Sequence, residues 1–164
     1  SMDFRPRKFI RAHLAASEIP KGLSAFAGEV LFLREVIEES DHDGLILVDE
    51  IAHGTNPVEG ASVAQAILEH LNHTPTITVI TTHYPSLAQL EEIRHLRVRG
   101  LDQDKLGEAR VDSLQRCMDY SLEVASPGRP LRSDAAVVAE ALGLDSMIIK
   151  RAKELLEKRD RKNG

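Results

Sequence analysis

Asp49 and Glu50 stand side by side at the end of the aliphatic run Leu45-Ile46-Leu47-Val48, the clearest chemical feature of the chain. An unbroken apolar run opened by Gly44 predicts a strand buried on both faces. Open α/β sheets gather ligands at the carboxyl ends of their strands. Two acids at such an end suit a magnesium nucleotide: one anchors the metal's water shell and the other polarises an attacking water. The plainer alternative is a core strand running into a solvated acidic turn. His83 follows a second strand-like run, Thr76-Ile77-Thr78-Val79-Ile80-Thr81, and the polar loop His53-Gly54-Thr55-Asn56 lies between the two. If both runs are parallel, Asp49, Glu50 and His83 meet at one rim, as a site requires. Each also has a structural reading. Glu50 could cap or salt-bridge a loop, His83 could be a satisfied histidine beneath Tyr84, and His53 could be an ordinary loop residue.

Other chemistries fit this pattern less well. His53 and His83 lack a tight ligand spacing such as HxxxH, which argues against a dedicated transition-metal centre. No Gly-x-Ser-x-Gly elbow supports a serine hydrolase. A phosphate loop of the form Gly-x-x-x-x-Gly-Lys-Ser/Thr is missing from the 164 residues as well. The acids therefore lack a backbone cradle for β- and γ-phosphates within this sequence. Either the chain is not a nucleotide hydrolase, or it is a piece cut downstream of its phosphate loop.

The elements that must position these groups read as follows. Phe26, Val30, Leu33 and Ile37 recur at helical steps and predict a helix over 24–39. Asp41-His42-Asp43-Gly44 is a turn before the strand at 45–49. Asn56-Pro57-Val58-Glu59 is a helix start: a capping side chain, proline at the first helical position and an acid three residues after the cap. That helix runs to about Leu71, with Ala61, Ala64, Leu68 and Leu71 on one face. Strand, helix and strand make a βαβ unit with a right-handed crossover. Phe9-Ile10 begins an edge strand, and Pro85 opens a short helix reaching about Leu90. Short alternating pieces over 94–124, separated by Gly100 and Gly107, read as antiparallel strands at the sheet edge. Two helices, about 133–142 and 145–159, close the chain around Gly143, with Ile148, Ala152 and Leu155 as an apolar stripe on the second.

The bulk properties describe an ordinary globular chain, 42% hydrophobic and 29% charged. No apolar run approaches the roughly 18 residues of a membrane span. The single Cys117 excludes an intrachain disulfide and fits a reducing cytoplasm. The net charge of −5 is uneven: +3 over residues 1–21, +4 over 149–164 and −12 between them. This is not the broad basic face of a dedicated nucleic-acid binder. The basic ends read most simply as a solvated start and a charged helix end.

Four segments in order carry a resemblance: Leu23-Ser24-Ala25-Phe26-Ala27-Gly28-Glu29, LVDE at 47–50, HGTNPVEG at 53–60 and TTHY at 81–84. In order and spacing they resemble the ATPase domain of the MutS family, over about residues 9–92. The closing stretch, Gly143-Leu144 and Ile148 to Leu156, is similar to that family's last helices. The resemblance implies an α/β parallel-sheet P-loop NTPase of the ABC ATPase-like type, binding ATP and Mg2+. It implies that the first strand and Walker A loop precede residue 1, with an ATPase portion at 1–128 and a helical segment, a candidate dimerisation element, at 129–164. By the same likeness, Asp49 is the Walker B acid holding magnesium through water. Glu50 orients the hydrolytic water, and His83 is the switch histidine sensing the γ-phosphate. Ser24 is the signature serine that reaches the partner subunit's γ-phosphate, and Gly54, Thr55 and Asn56 form a loop crossing a homodimer interface.

The departures bear on the branch. His53 stands where mismatch-repair members commonly carry Arg, and Ala25 and Ala27 replace bulkier or hydroxylated signature residues. Asn-Pro-Val-Glu-Gly looks more like the recombination-suppressing paralogues, or the MutS-like proteins associated with cobalamin-dependent aminomutases. Three functions follow from the resemblance. One is an ATPase driving a DNA clamp, as in mismatch repair, with DNA held by regions upstream. The second is an ATPase that remodels a protein partner without DNA, and the third is a recombination-suppressing paralogue.

Overall fold

The computed structural model describes residues 5–14, 24–102, 116–125 and 134–163. They divide into two compact units, Ser1–Ile93 and Arg94–Gly164. The boundary expected at 128/129 and the break at Gly107 lie outside the described residues.

The first unit runs β1 (Phe9–His13), α1 (Ala25–Glu39), β2 (Gly44–Val48), α2 (Pro57–Asn72) and β3 (Ile77–Ile80), then a 3-10 turn at Pro85–Gln89. The three strands form a parallel sheet in the order β1-β2-β3. This is the α/β arrangement with a βαβ unit that the sequence predicts. Sequence-local chemistry sets the helix starts. Ser24 caps α1, its hydroxyl accepting from the Ala27 amide at 3.2 Å. Asn56 caps α2, its side chain accepting from the Val58 amide at 2.9 Å just before Pro57. The start of β3 is tied to the turn before β2 by the Thr76 hydroxyl, which donates to the Ser40 and His42 carbonyls.

One sheet face carries the core. Ile46 and Val48 pack with Leu33 and Val36 of α1 and Ala64 and Leu71 of α2. Gly44 shares that face because the Phe9 ring lies where its Cβ would be. The opposite face differs from the two-sided burial that the apolar run predicts. Leu45 and Leu47 are only half-buried, and their neighbours Ile10, Ile77 and Val79 in the register are exposed. α1 and α2 both lie against the Ile46 face, which leaves this second face without a covering layer among the described residues of the first unit. On α1 the predicted stripe also shifts. Leu33 is buried and Phe26 and Ile37 pack against the core, but Val30 is 42% exposed while Glu29 and Val36 are buried.

The second unit pairs β4 (Leu96–Leu101) with β5 (Met118–Val124), antiparallel, with a bulge between Val98 and Gly100. These strands pair with each other rather than extending the parallel sheet, unlike the edge position expected from sequence. α3 (Ala135–Ala141) and α4 (Ser146–Asn163) follow. Gly143, at φ +84°, turns the chain between them, and the Leu144 amide closes on the Ala139 carbonyl at 3.0 Å. On α4 the buried anchor is Ile149, whereas Ile148 of the expected stripe is 54% exposed.

Candidate functional site

The site grows from the point where β2 ends. Its last ladder bonds carry on past the strand, with the Asp49 amide donating to the His13 carbonyl at 2.9 Å and the Thr81 amide to the Val48 carbonyl at 2.9 Å. Asp49 therefore leaves the sheet between the ends of β1 and β3, the usual ligand edge of a parallel sheet. The Thr81 hydroxyl then bridges both acids. It donates to Asp49 Oδ1 at 2.5 Å and accepts from the Glu50 amide at 2.8 Å.

The chain turns sharply after Asp49. Glu50 lies at φ +53° and Ala52 at φ +60°, a left-handed conformation that residues with a Cβ adopt at a cost. Three elements hold this turn. The Ile51 amide donates to the Thr81 carbonyl at 3.1 Å. The Ala52 amide donates to Glu29 Oε1 of α1 at 2.6 Å, and the Ala52 carbonyl accepts from the Tyr84 hydroxyl at 2.9 Å. Gly60, in the first turn of α2, makes room for that hydroxyl; a Cβ there would run into it. Gly54, at φ +89°, brings the following loop against Ala25 and the Phe26 amide at the start of α1.

The turn brings Glu50 beside His53, which itself meets His83. His53 Nδ1 lies 3.5 Å from Glu50 Oε2, and the His53 and His83 rings meet edge-on at 6.2 Å. The His83 ring also leans on Tyr84 at 4.5 Å. Glu50, His53 and His83 are all exposed, so they face solvent rather than the core. The structure thus gathers Asp49, Glu50 and His83 at one rim and adds His53, which sequence reasoning treats as a plain loop residue. Ser24 opens α1 beside Ala25 and Phe26, against which Gly54 packs. Thr55 lies beside Gly60, and the Asn56 side chain is engaged as the α2 cap.

One titratable group here is displaced from its ordinary range. Burial pushes the Glu29 carboxyl up, against the lowering pull of the Ala52 amide, His13, and the His53 amide and ring.

Among the described residues no three His, Cys, Asp or Glu side chains cluster as a metal cage. A single strand-end carboxylate such as Asp49 is instead the usual protein share of a magnesium site completed by water and substrate phosphates. The donor set fits Mg2+ held through water beside ATP. The backbone cradle for the triphosphate is not encoded in these 164 residues.

Comparison with known proteins settles the lineage. The model of MutS domain V matches residues 2–159. The chain belongs to the MutS family. Proteins named "Endonuclease MutS2" from Streptococcus pyogenes serotype M5 and Streptococcus agalactiae serotype V are 35% identical to it over 145 residues, 85% of this chain and 17% of theirs. The Streptococcus thermophilus protein of that name is 37% identical over 140 residues, 85% of this chain and 16% of its own. The chain thus spans about a sixth of the length of the curated relatives it matches. Within this MutS segment, sequence reasoning leaves without a role Thr81, which bonds to both acids, and Glu29 and Tyr84, which hold Ala52 in the turn after them. Glu29 closes the first of the four resembling segments, and Thr81 and Tyr84 bound the last. No helix among the described residues is long and apolar enough to cross a membrane.

Proposed function

We propose that this segment is the part of an ABC-type, P-loop ATPase of the MutS2 kind that carries the metal-holding, water-orienting and partner-contacting groups, and that its ATP cycle acts on DNA. The observation that carries the reading is the convergence of Asp49, Glu50 and His83 at the carboxyl edge of a parallel sheet, with Glu50 set in a left-handed turn. Bound Mg2+ and ATP supply charge neutralisation on the phosphates and the bond to be broken. Asp49, fixed by the Thr81 hydroxyl, would hold Mg2+ through its water shell. Glu50 would accept a hydrogen bond from the attacking water and orient it, and His83 would donate to the terminal phosphate oxygens. Ser24, at a helix N-terminus with exposed amides, is suited to a phosphate presented by a second subunit, with Gly54, Thr55 and Asn56 at the same boundary.

Two features favour the MutS2 branch over mismatch repair: the name shared by the relatives and the His53 and Asn-Pro-Val-Glu-Gly departures. The deciding experiment is steady-state ATP hydrolysis by the full-length protein alone and with matched, mismatched and branched duplex. Stimulation by branched DNA is the expected result. Selective stimulation by mismatches would move the protein to the repair clamps. Hydrolysis indifferent to every DNA would favour a protein partner, and no hydrolysis at all would overturn the reading.

A further inference from the structure

Glu29 is a charged residue only 3% exposed, on a helix face otherwise given to Leu33 and Val36. A buried carboxylate is costly unless it is hydrogen-bonded, so its place in the core calls for an account. Its partner is not a cation but the backbone of the turn after β2: Oε1 accepts from the Ala52 amide at 2.6 Å, and the His53 amide also faces it. Among the described residues, Ala52 is one of two with a Cβ held at positive φ, and the other is Glu50. The Tyr84 hydroxyl grips the opposite side of the Ala52 residue at its carbonyl. A left-handed Ala persists only where its surroundings over-determine it, and the bond to Glu29 is the shorter of the two side-chain bonds on Ala52.

We propose that Glu29 is a positioning residue for the ATP hydrolysis site: its carboxylate on α1 locks the 50–53 turn that presents Glu50 and His53. Because Ser24 caps the same helix five residues earlier, the clamp also makes the start of α1 and the Glu50 turn one mechanical unit. This rests on the ATPase reading above for its catalytic consequence. The clamp itself rests on geometry alone. His13 of β1 and His53 are the titratable groups that face the carboxylate.

The test uses the full-length protein with Glu29→Ala, Glu29→Gln and Glu50→Gln. Glu29→Gln keeps an acceptor oxygen for the Ala52 amide at nearly the same volume. Loss of the clamp misplaces Glu50, so Glu29→Ala lowers kcat by about 10- to 100-fold while nucleotide affinity changes little. Glu29→Gln restores most of kcat. In the Glu50→Gln background Glu29→Ala costs little more, since both act through one group. Equal loss in both backgrounds, or a loss confined to KM, would overturn the positioning role. Hydrogen exchange at the Ala52 and His53 amides decides the clamp without reference to ATP. Faster exchange in Glu29→Ala supports it, and unchanged protection overturns it. A wild-type protein that hydrolyses no ATP would overturn the functional reading and the catalytic consequence, with the exchange result still deciding the clamp. Where Glu29→Ala fails to fold, Glu29→Gln carries the same readouts: lost kcat with intact exchange would contradict the proposal.

Discussion

Glu50 projects from a backbone conformation that most residues with a side chain avoid, and the surrounding contacts explain why it stays there. Its amide is bonded to Thr81 Oγ1, and the turn it opens is fastened by Glu29 and Tyr84. Glu50→Gln in the full-length protein keeps shape and hydrogen bonding but loses the charge that polarises water. It is expected to retain ATP binding, measured by equilibrium titration, and to lose turnover by about 10²-fold or more. Thr81→Val removes two bonds at once, the anchor of Asp49 Oδ1 and the acceptor for the Glu50 amide. It is expected to raise the Mg2+ concentration needed for half-maximal hydrolysis, with a stability loss of about 1–3 kcal/mol in denaturant titration. Glu29 makes a pH prediction. Its folded value lies above the ordinary 4.5, so its stabilising share is full below that value and is lost as pH rises through the raised value. Glu29→Gln has no such proton to lose. The stability gap between variant and wild type is therefore expected to shift in favour of the variant as pH rises from 4.5 toward neutrality, read by denaturant midpoints at each pH.

Elements with local signals were legible in the sequence, and those decided by distant packing were not. β2, α2 and β3 follow from an apolar run, an Asn-Pro start and a β-branched run, so the exit of Asp49, Glu50 and His83 from the carboxyl ends of neighbouring parallel strands could be read directly. The buried side of α1 could not. Periodicity puts Val30 inward, whereas the structure turns Glu29 inward because a turn 23 residues away supplies its hydrogen bonds. His53 was undervalued for the same reason: its closeness to Glu50 depends on two left-handed residues that carry no glycine signal. The second sheet face and the separate β4–β5 pair likewise depend on what each strand meets in space. The α2–turn contact gives a prediction at this scale. Gly60→Ala pushes a methyl into the Tyr84 hydroxyl and to 3.1 Å from the Ala52 carbonyl, with an expected loss of about 1–3 kcal/mol. Tyr84→Phe removes the hydroxyl that is struck. The double variant is therefore expected to be more stable than the summed single losses predict, by about 1 kcal/mol in a thermal or denaturant cycle. Strict additivity would mean that Gly60 is constrained by something other than that hydroxyl.

At the scale of the molecule, the proposed function assigns phosphate contacts to two places on the first unit, the ends of β2 and β3 and the start of α1. Glu50 and His83 follow the ends of β2 and β3, while Ser24 opens α1, next to Ala25, which a Cβ on Gly54 would meet. If each nucleotide is served by Glu50 of one subunit and Ser24 of the other, two sites form per dimer and each needs both chains. Ser24→Ala tests this poorly, because it also removes a helix cap worth about 1 kcal/mol. Ser24→Asp is cleaner: aspartate caps equally well, yet it sets a negative charge where a phosphate must approach. Each of the homodimers Ser24→Asp and Glu50→Gln is expected to hydrolyse little ATP while melting near the wild-type temperature. Mixed, they give a sharp result. A dimer of one Ser24→Asp and one Glu50→Gln chain collects both lesions in one site and leaves the other wild type. With random pairing half the dimers are mixed, so the mixture is expected to recover about a quarter of wild-type turnover at equal total protein. If Ser24 instead served its own subunit's nucleotide, no mixed dimer would hold an intact site and mixing would restore nothing.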